Sequence, residues 1–395
     1  MKILLVSFYF SPELGAAPSR ITNMANGFKS QGDEVDILTC LPNYPKGRIF
    51  EAYRGRLYKK EIINGCNVYR YWTYATVSQN PILRGISMVS FAVMIWLFAF
   101  RRSLVKNYDR IIIQSPPLPV AASAIALFKC LYNKKTILNI SDLWPLSAVE
   151  LGAMAEGDTM HKIFSKIERF NYKKADAILG QSNEILKYVA AFKCSERLFL
   201  YRNLQKYNVS IDCRSRSVPV KIVYAGLLGV AQNLLDIIKN VDFKTLGVEL
   251  HLYGGGNQTQ EIETFIAEND CNVYYHGYIE KERMAEELTK YDASIIPLAV
   301  RIKGAVPSKI FDILPMGIPV LFCGGGEGAE IVTQYEVGLV SMPGDYAALQ
   351  TNVKKLVAMS DDEYRYFSMN CIRISRTVFD FDQQITECRN FIDHL

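Results

Sequence analysis

Short β-rich apolar runs alternate with helical patterns along this chain, and this alternation constrains its fold more than any other feature. The first run, at residues 3–10, breaks into S-P-E-L-G-A-A-P, after which apolar residues recur at helical spacing between Ile21 and Phe28. Gly32 closes that helix, and E-V-D-I-L-T-C then predicts a second strand. A strand, loop, helix and strand in this order indicate the start of a parallel α/β layer.

The same opening loosely fits a secretion signal, because Lys2 precedes an apolar core. However, Pro12 and Glu13 interrupt the run at once, and Pro18 suits the first turn of the helix that follows. The residues therefore favour a buried strand over a secretion signal.

Two such series are present, separated by polar, irregular residues at 201–219. The first contains D-R-I-I-I-Q-S, K-T-I-L-N-I and A-D-A-I-L-G, and the second contains K-I-V-Y-A-G, V-E-L-H-L-Y, A-S-I-I-P and I-P-V-L-F. A length of 395 residues suits two domains. We therefore expect two doubly wound, Rossmann-like α/β domains, residues 1–205 joined by a C-terminal helix at 379–395, and residues 206–378.

Composition narrows the functional classes. The chain is 49% hydrophobic and 22% charged, as in a well-packed globular protein. Its net charge of +5 permits phosphate-rich ligands or an anionic membrane surface but does not indicate nucleic-acid binding. Nine cysteines occur without a C-x-x-C pair, which is typical of a reduced, cytosolic protein without a zinc site. With only four histidines, chemistry that needs several imidazoles is not expected.

Residues 85–100 form an uncharged apolar segment that is followed by Arg101 and Arg102. The segment is shorter than the roughly 20 residues that span a bilayer. One interpretation is a helix buried against the sheet. The other is a helix in the membrane interface, with Trp96 inserted and basic residues on lipid headgroups, so that residues 85–102 make a peripheral contact. Both interpretations keep the protein on the cytoplasmic side.

Glycines follow several of the predicted strands, namely Gly15, Gly226 with Gly229, Gly254 to Gly256, and Gly324 to Gly326. In an open parallel sheet, ligands bind beyond the carboxyl ends of the strands. A glycine there lets backbone N–H groups approach a phosphate. Each glycine alone fits an ordinary tight turn. Four such positions across two sheets favour a phosphate-bearing ligand.

The stretch K-G-A-V-P-S-K-I-F-D-I-L-P-M-G-I-P-V-L-F predicts a helix that starts at Pro307 and Ser308, with Ser308 as its cap. Free N–H groups in its first turn and the charge of Lys309 would hold an anion. Asp312 lies one turn further, at a spacing that suits a ribose diol. A capped amphipathic helix with surface charges explains the same pattern.

The order of these pieces resembles the retaining GT-B glycosyltransferases of family 4, within them the bacterial polysaccharide branch typified by the fucosamine and colanic-acid transferases. The matching segments run along essentially the whole chain: SPELGAAPSR, LPNYPKGRIF, QSPPLP, SDLWP with SAVELG, VYAGLLGVAQ, LYGGG, VPSKIFDILPMGIPV and GGGEGAEIV. The most specific parts are VPSK and MGIPV.

This resemblance implies two domains with a cleft between them, a nucleotide-sugar donor bound mainly by the C-terminal domain and an acceptor bound by the N-terminal one. Gly15 would approach the donor diphosphate from across that cleft. The glutamate that grips the ribose in the family falls on Asp312, and the first glutamate of the E-x7-E motif falls on Gly304.

The family's arginine and lysine clamp on the diphosphate has no basic counterpart in G-L-L-G-V-A-Q-N. Gln232 stands at the branch's own glutamine position, and the positive charge is expected from Lys309, Arg301 or Lys303. Gly229, Gly254, Pro307 and Ser308 complete the expected donor site, as implied by the matched motifs.

On the acceptor side, Leu146 stands where the resemblance led us to expect a carboxylate, and Asp142 is the candidate polar group. Its alternative role is to cap a short helix at residues 143–151. Together with Lys309 and Asp312 it makes up the expected catalytic set. The D-F-D at residues 380–382 matches a metal-binding D-x-D but is interpreted as a helix cap, and His276 as structural.

The implied reaction is retaining transfer of a hexosyl-type unit (EC 2.4), in which the leaving phosphate oxygen helps to deprotonate the acceptor hydroxyl, without metal or other cofactor. The expected donor is a UDP- or GDP-linked deoxy or N-acetylamino sugar, and the expected acceptor is a polyprenyl-diphosphate-linked glycan of O-antigen or capsule biosynthesis. The expected location is cytoplasmic, or peripheral on the inner face of the plasma membrane.

Two alternatives stay open. One is a nucleotide-sugar epimerase of the same fold, against which the scarcity of histidine argues. The other is a non-catalytic partner subunit, which Gly304 and the missing clamp residues leave open.

Overall fold

The computed structural model describes residues 1–78, 80–207 and 214–395. The chain forms two compact units. Unit 1 contains residues 1–204 and 381–395, and unit 2 contains residues 205–380. The expected assignment of acceptor to the N-terminal domain and donor to the C-terminal one remains a prediction.

Unit 1 is built on an eight-stranded sheet that is parallel except for an antiparallel hairpin at one edge. Its strands are, in chain order, β1 (Lys2–Val6), β2 (Glu34–Cys40), β3 (Tyr58–Ile63), β4 (Cys66–Tyr71), β5 (Arg110–Ser115), β6 (Lys135–Ile140), β7 (Ala177–Gly180) and β8 (Leu198–Leu200), and they lie in the sheet in the order β3-β4-β2-β1-β5-β6-β7-β8.

The helices of unit 1 connect these strands, and the last one comes from the C-terminal end of the chain. They are α1 (Ala16–Ser30), α2 (Pro81–Met94), α3 (Arg102–Lys106), α4 (Leu118–Ile125), α5 (Leu146–Glu150), α6 (Thr159–Lys174), α7 (Asn183–Val189) and α15 (Phe381–Asp393). Short helical segments of other types lie at Glu51–Tyr53, Ile95–Phe100, Ala126–Leu131 and Ser195–Arg197.

Unit 2 contains a six-stranded parallel sheet. Its strands are β9 (Val220–Leu227), β10 (Val248–Gly255), β11 (Val273–Tyr275), β12 (Ala293–Pro297), β13 (Val320–Cys323) and β14 (Gly338–Ser341), in the order β11-β10-β9-β12-β13-β14. Its helices are α8 (Leu234–Asn240), α9 (Thr259–Glu268), α10 (Lys281–Leu288), α11 (Lys309–Ile313), α12 (Glu327–Gln334), α13 (Tyr346–Ala358) and α14 (Asp361–Thr377), with a 3-10 turn at Leu314–Met316. The predicted two-domain doubly wound α/β class is confirmed.

The opening strand is a central strand of its sheet. β1 pairs in parallel with β2 on one side and with β5 on the other, and Ile3 to Val6 are almost completely buried. A secretion signal is therefore the wrong interpretation of these residues. The strand order changes direction at β1 in unit 1 and at β9 in unit 2, and a ligand-binding crevice is expected beside such strands.

The edge hairpin of β3 and β4 was not among the predicted strands. Its turn is Asn64–Gly65, and both residues have positive φ angles, 49° and 72°. An Asn-Gly pair between two β-rich runs is the usual sequence signal for such a hairpin, so the signal was present in the sequence.

The C-terminal helix α15 packs against α1. A Cβ atom on Gly27 would lie 2.4 Å from Cδ1 of Ile385, so the two helices approach too closely for any larger residue at that position. Arg389 also bonds to the buried Asp33 through Nε at 2.9 Å, and Asp33 accepts from the N-terminal amino group at 2.6 Å.

The apolar segment at residues 85–100 is buried on one side only, and its contact with a membrane remains a prediction. It belongs to a 19-residue helical stretch, Ile82–Phe100, that is long and apolar enough to cross a membrane by length and composition alone. Phe91, Ile95 and Phe98 are fully buried in the core of unit 1, whereas most of the stretch is not buried.

Candidate functional site

Backbone hydrogen bonds join four loops at the carboxyl edge of the sheet in unit 2. The N–H of Leu228 donates to the carbonyl of Gly255 at 3.1 Å, and that of Gln258 donates to Leu228 at 3.1 Å. The N–H of Gly254 donates to Gly277 at 2.7 Å, and that of Ala299 donates to Ala231 at 2.8 Å. The loops that follow β9, β10, β11 and β12 therefore form one connected rim, which lies at the point where the strand order reverses.

Two glycines are required where β9 and β10 run side by side at this rim. Gly254 has a φ of 120°, and a Cβ atom on it would lie 1.9 Å from the carbonyl oxygen of its register partner Gly226. Gly226 itself has a φ of 155°, and a Cβ there would meet Cε of Lys309 at 2.3 Å. The predicted importance of these glycines thus has a direct steric cause.

The side chain of Lys309 lies beside Gly226, in the space that a Cβ atom on this glycine would fill. Its Nζ lies 5.2 Å from the ring centroid of Tyr224, a distance at which a cation and an aromatic face attract each other. Burial lowers the pKa of Lys309, while the nearby charge of Asp312 opposes this shift. Within residues 1–78, 80–207 and 214–395 the ammonium group has no ion pair or hydrogen bond.

Asp312 lies one helical turn further along α11 and is engaged by a residue that sequence reasoning missed. The hydroxyl of Tyr207 donates a hydrogen bond to the Asp312 carboxylate. Burial, and then the negative charge of Asp312, raise the pKa of Tyr207 well above its usual value. No sequence signal pointed to Tyr207, because it lies 105 residues before Asp312 in an irregular segment.

The predicted cap at the start of α11 is wrong in its detail. Ser308 occupies the position before the helix but makes no capping hydrogen bond with its side chain. The N–H of Ile310 donates to the carbonyl of Pro307, and those of Phe311 and Asp312 donate to the carbonyl of Ser308. These three N–H groups already have partners inside the turn, and the lysine side chain is the candidate anion ligand; an anion at the helix start remains a prediction.

Gln232 and Gly229 lie together in the loop after β9. The Oε1 atom of Gln232 would be 3.1 Å from a Cβ on Gly229, and it is buried without a hydrogen-bond partner among the described residues. Arg301 is exposed, and its side chain passes over the loop after β13, 3.5 Å from where a Cβ on Gly325 would lie. Eight of the predicted donor-site residues thus lie in unit 2, at the end of β10 or after β9 and β12: Gly254, Gly229, Gln232, Arg301, Pro307, Ser308, Lys309 and Asp312.

The two remaining predicted residues outside unit 2, Gly15 and Asp142, lie at the carboxyl edge of unit 1. Gly15 precedes α1 with a φ of 126° and a ψ of 178°, a conformation open to glycine alone, and no side chain caps that helix. Asp142 accepts from Oγ of Ser141 at 3.2 Å. It does not cap the following helix, since α5 begins at Leu146 after Pro145.

Arg20 lies near Asp142 and was also missed by sequence reasoning. Its Nη2 donates to Oε1 of Gln181 at 2.5 Å, while its Nε is buried without a partner among the described residues. Burial lowers the pKa of this guanidinium, and the charge of Asp142 opposes that effect. A guanidinium and a carboxylate therefore share this edge with Gly15.

Two further motifs, His276 and the D-F-D, were not assigned a role in the site by the sequence. His276 stacks on Tyr253 with ring centroids 4.7 Å apart, and its Nε2 lies 2.9 Å from Nδ1 of His251, so its contacts are those of a packed side chain. The D-F-D at residues 380–382 lies where α14 gives way to α15. Within the described part of the chain no group of three or more His, Cys, Asp or Glu side chains could hold a metal ion.

Comparison with known families matches both units. A model described as a glycosyl transferase 4-like domain matches residues 15–200, and one described as glycosyl transferases group 1 matches residues 219–359. The chain is also 24% identical over 340 residues to WcaI of Escherichia coli strain K12, which is described as a colanic acid biosynthesis glycosyl transferase. That alignment takes in 80% of this chain and 82% of the relative.

Solved structures share the fold along the whole chain. Sucrose-phosphate synthase from Thermosynechococcus elongatus aligns with a TM-score of 0.75 at 13% identity, over 100% of this chain and 98% of that one. Anabaena HepE in complex with UDP aligns with a TM-score of 0.70 at 12% identity, over 100% of both chains. At these identities the likeness shows the fold alone.

Proposed function

Because this chain belongs to the GT-B glycosyltransferases of family 4, we propose that it transfers a sugar from a nucleotide-diphosphate donor to a lipid-linked glycan during synthesis of a bacterial surface polysaccharide. The similarity to WcaI supports the polysaccharide context, and the UDP in the HepE complex supports a nucleotide-sugar donor. The family sets aside the epimerase alternative, since its members are transferases (EC 2.4).

One observation carries this proposal. The ammonium group of Lys309, which makes no ion pair or hydrogen bond in the described part of the chain, lies beside the glycines of β9 and β10, at the strand where the order of the sheet reverses. A largely buried cation is costly when the nearby charge of Asp312 is its main compensation, and a diphosphate would supply a direct anionic partner. Asp312, on the same helix, offers carboxylate oxygens that can accept hydrogen bonds from a ribose diol.

The proposed chemistry is a single displacement with retention. The acceptor oxygen bonds to the anomeric carbon, the bond from that carbon to the donor phosphate oxygen breaks, and the acceptor proton passes to the leaving phosphate. The protein then contributes positioning and charge stabilisation rather than a nucleophile. Lys309 stabilises the charge that develops on the leaving diphosphate, and Asp142 with Arg20 offers polar contacts to the acceptor. We propose that the sugar is a deoxy or N-acetylamino hexose and that no metal takes part.

Replacing Lys309 by alanine is expected to raise the donor KM about tenfold or more, because the diphosphate loses its nearest cation. Steady-state kinetics with the UDP and GDP sugars that the wild-type protein accepts measure this effect. Lys354→Ala, a surface change on α13, is the control and should leave the KM unchanged. An unchanged KM in Lys309→Ala would show that Arg301 or Lys303 holds the diphosphate instead.

Calorimetric titration of the wild-type protein with UDP and GDP separates this function from the partner-subunit alternative. A transferase binds one of the two nucleotides. Absence of binding to both would favour a non-catalytic subunit that has kept the fold.

A lipid-linked acceptor requires the enzyme to work at a membrane, and one surface of unit 1 fits that task. Along α2 and the 3-10 segment after it, exposed apolar side chains recur every three or four residues. We call these the apolar stripe: Ile82, Ile86, Val89, Val93, Leu97 and Phe100, which are 42–83% exposed. An exposed apolar surface of this kind on a soluble fold marks a contact site.

The charges around the apolar stripe favour an anionic lipid surface as the partner. Residues 62–108 contain no Asp or Glu, and Arg84, Arg102 and Lys106 are exposed near the stripe in sequence. Arg101 has a different role from the predicted one, because its guanidinium lies 4.6 Å from the ring centroid of Tyr58. Trp96 is partly exposed, and its N–H donates to Oγ of Ser123 on α4 at 3.0 Å. We propose peripheral binding to the cytoplasmic face of the plasma membrane.

We expect the protein to co-sediment with vesicles that contain anionic phospholipid and to be released by high salt. Ile86→Asp with Val93→Asp should abolish binding, and Arg102→Glu with Lys106→Glu should weaken it at least tenfold, since each basic residue contributes on the order of 1 kcal/mol. Leu57→Asp with Ile62→Asp, which replaces two exposed apolar residues just before and within β3, is the matched control. Equal recovery of wild type and stripe variants in the supernatant would contradict a membrane contact.

A further inference from the structure

Two loops at the carboxyl edge of unit 1 are joined by one buried side chain, Glu13. The first loop, residues 7–15, follows β1, and the second, residues 41–47, follows β2. Oε1 of Glu13 accepts from the backbone N–H groups of Asn43 and Tyr44, each at 2.9 Å. Oε2 accepts from the N–H of Phe10 at 3.1 Å. Only 4% of the residue is exposed, so its carboxylate is dedicated to these three backbone groups.

A second buried charge holds the first loop from the other side. Arg70, which is fully buried on β4, donates from Nη2 to the carbonyl of Ser11 and from Nη1 to that of Cys40 at 3.2 Å. Its Nε is paired with Glu61. Burial raises the pKa of Glu13, whereas the three N–H groups and then the charge of Arg70 lower it. Arg70 thus holds the middle of the first loop, while Glu13 links that loop to the second one.

These bonds decide where the exposed end of the loop lies. Gly15 follows Glu13 by two residues, and Cε1 of Tyr44 is 3.5 Å from where a Cβ on Gly15 would be. The ring of Tyr44 also packs against that of Tyr9, with centroids 5.5 Å apart. Glu13 therefore sets the distance between the glycine that starts α1 and the tyrosine of the neighbouring loop.

Burying a carboxylate costs desolvation free energy, and here hydrogen bonds from backbone groups have to offset that cost. What these bonds provide is a defined geometry of the two loops. We infer that Glu13 is the positioning residue of the acceptor side, which couples the two loops so that Gly15 and Tyr44 keep fixed positions during transfer. This inference rests on the proposed function, in which unit 1 receives the acceptor.

The test compares Glu13→Gln with Glu168→Gln in the full chain. Glu168 is a carboxyl of unit 1 with 3% exposure that lies on α6, outside both loops, so its variant reports the effect of replacing a buried carboxyl elsewhere in the same unit. In Glu13→Gln one of the two carboxylate oxygens becomes an NH2 group, which cannot accept from a backbone N–H. We expect hydrogen exchange at residues 41–47 to accelerate at least tenfold, and kcat/KM for the acceptor to fall at least tenfold. The control should change neither quantity.

Full acceptor kcat/KM in Glu13→Gln would overturn the inference, and so would an equal loss in the Glu168 control. Unchanged exchange at residues 41–47 would overturn it as well, because the loops would then not depend on Glu13. Failure of the proposed function has a different signature. The wild-type protein would transfer no sugar, while the exchange measurement would still decide whether Glu13 couples the loops.

Discussion

Replacing Asp312 by alanine is expected to lower kcat/KM at least a hundredfold while the protein remains folded. The carboxylate is proposed to accept both hydroxyls of the nucleotide ribose, and loss of a charged hydrogen-bond partner from a substrate is costly, about 1.5–3 kcal/mol for each bond. The effect on stability is expected to be about 1 kcal/mol, since the hydroxyl of Tyr207 loses its hydrogen-bond acceptor.

Two further variants separate the roles of this carboxylate. Tyr207→Phe removes the same internal hydrogen bond but keeps the carboxylate, so it should share the small loss of stability and retain activity. Asp312→Glu installs the residue that the family carries at this position and should keep substantial activity. If Tyr207→Phe were as inactive as Asp312→Ala, the internal bond and not ribose binding would explain the loss.

The second large effect is expected from Gly254→Ala. The added methyl group would lie 1.9 Å from the carbonyl oxygen of Gly226, and both atoms belong to paired strands that cannot separate without breaking their ladder. Overpacking costs about 1–3 kcal/mol and the φ of 120° adds about 1–3 kcal/mol of strain, so we expect roughly 2–6 kcal/mol less stability for unit 2. Chemical denaturation measures this change, and nucleotide titration should show that binding is lost.

Alanine substitutions at two other glycines show whether the loss of stability comes from the close approach of the added methyl group to Gly226. Gly247→Ala also places a side chain at positive φ, but nothing lies within 4 Å of its Cβ, so only the strain remains. Gly229→Ala meets Oε1 of Gln232 at 3.1 Å, a side-chain atom that can move. Both variants should stay much closer to wild type in stability. Equal destabilisation by Gly247→Ala and Gly254→Ala would mean that backbone strain, and not the contact with Gly226, dominates.

The alternation of β-rich runs and helical patterns predicted most of the fold because it is a local property. β1, β2, β5, β6, β7 and most strands of unit 2 lie where the apolar runs lie. Gly32 was predicted to end a helix, and it has a positive φ of 81°. The hairpin of β3 and β4 was missed although its Asn64–Gly65 turn is a local signal.

The candidate site was predicted in part. Lys309 and the glycines of β9 and β10 come together as expected, since the carboxyl ends of neighbouring parallel strands meet at one edge of a sheet. The capping roles expected of Ser308 and Asp142 are wrong, because the helices begin at other residues or use other partners. A sequence names residues that are able to cap a helix, but the exact start of that helix depends on how the loop before it packs.

The sequence by itself determined the class of fold, the two series of strands and the helix that carries Lys309 and Asp312. Only the tertiary structure decided which groups meet: Glu13 with the backbone N–H of Asn43, Arg70 with the carbonyl of Ser11, and Tyr207 with the carboxylate of Asp312. It also decided which face of residues 82–100 remains exposed. The physical reason is range. Periodicity and turn chemistry act between residues that are close in sequence, whereas these contacts join residues 30 to 105 positions apart, and only the packing of the sheets brings them together.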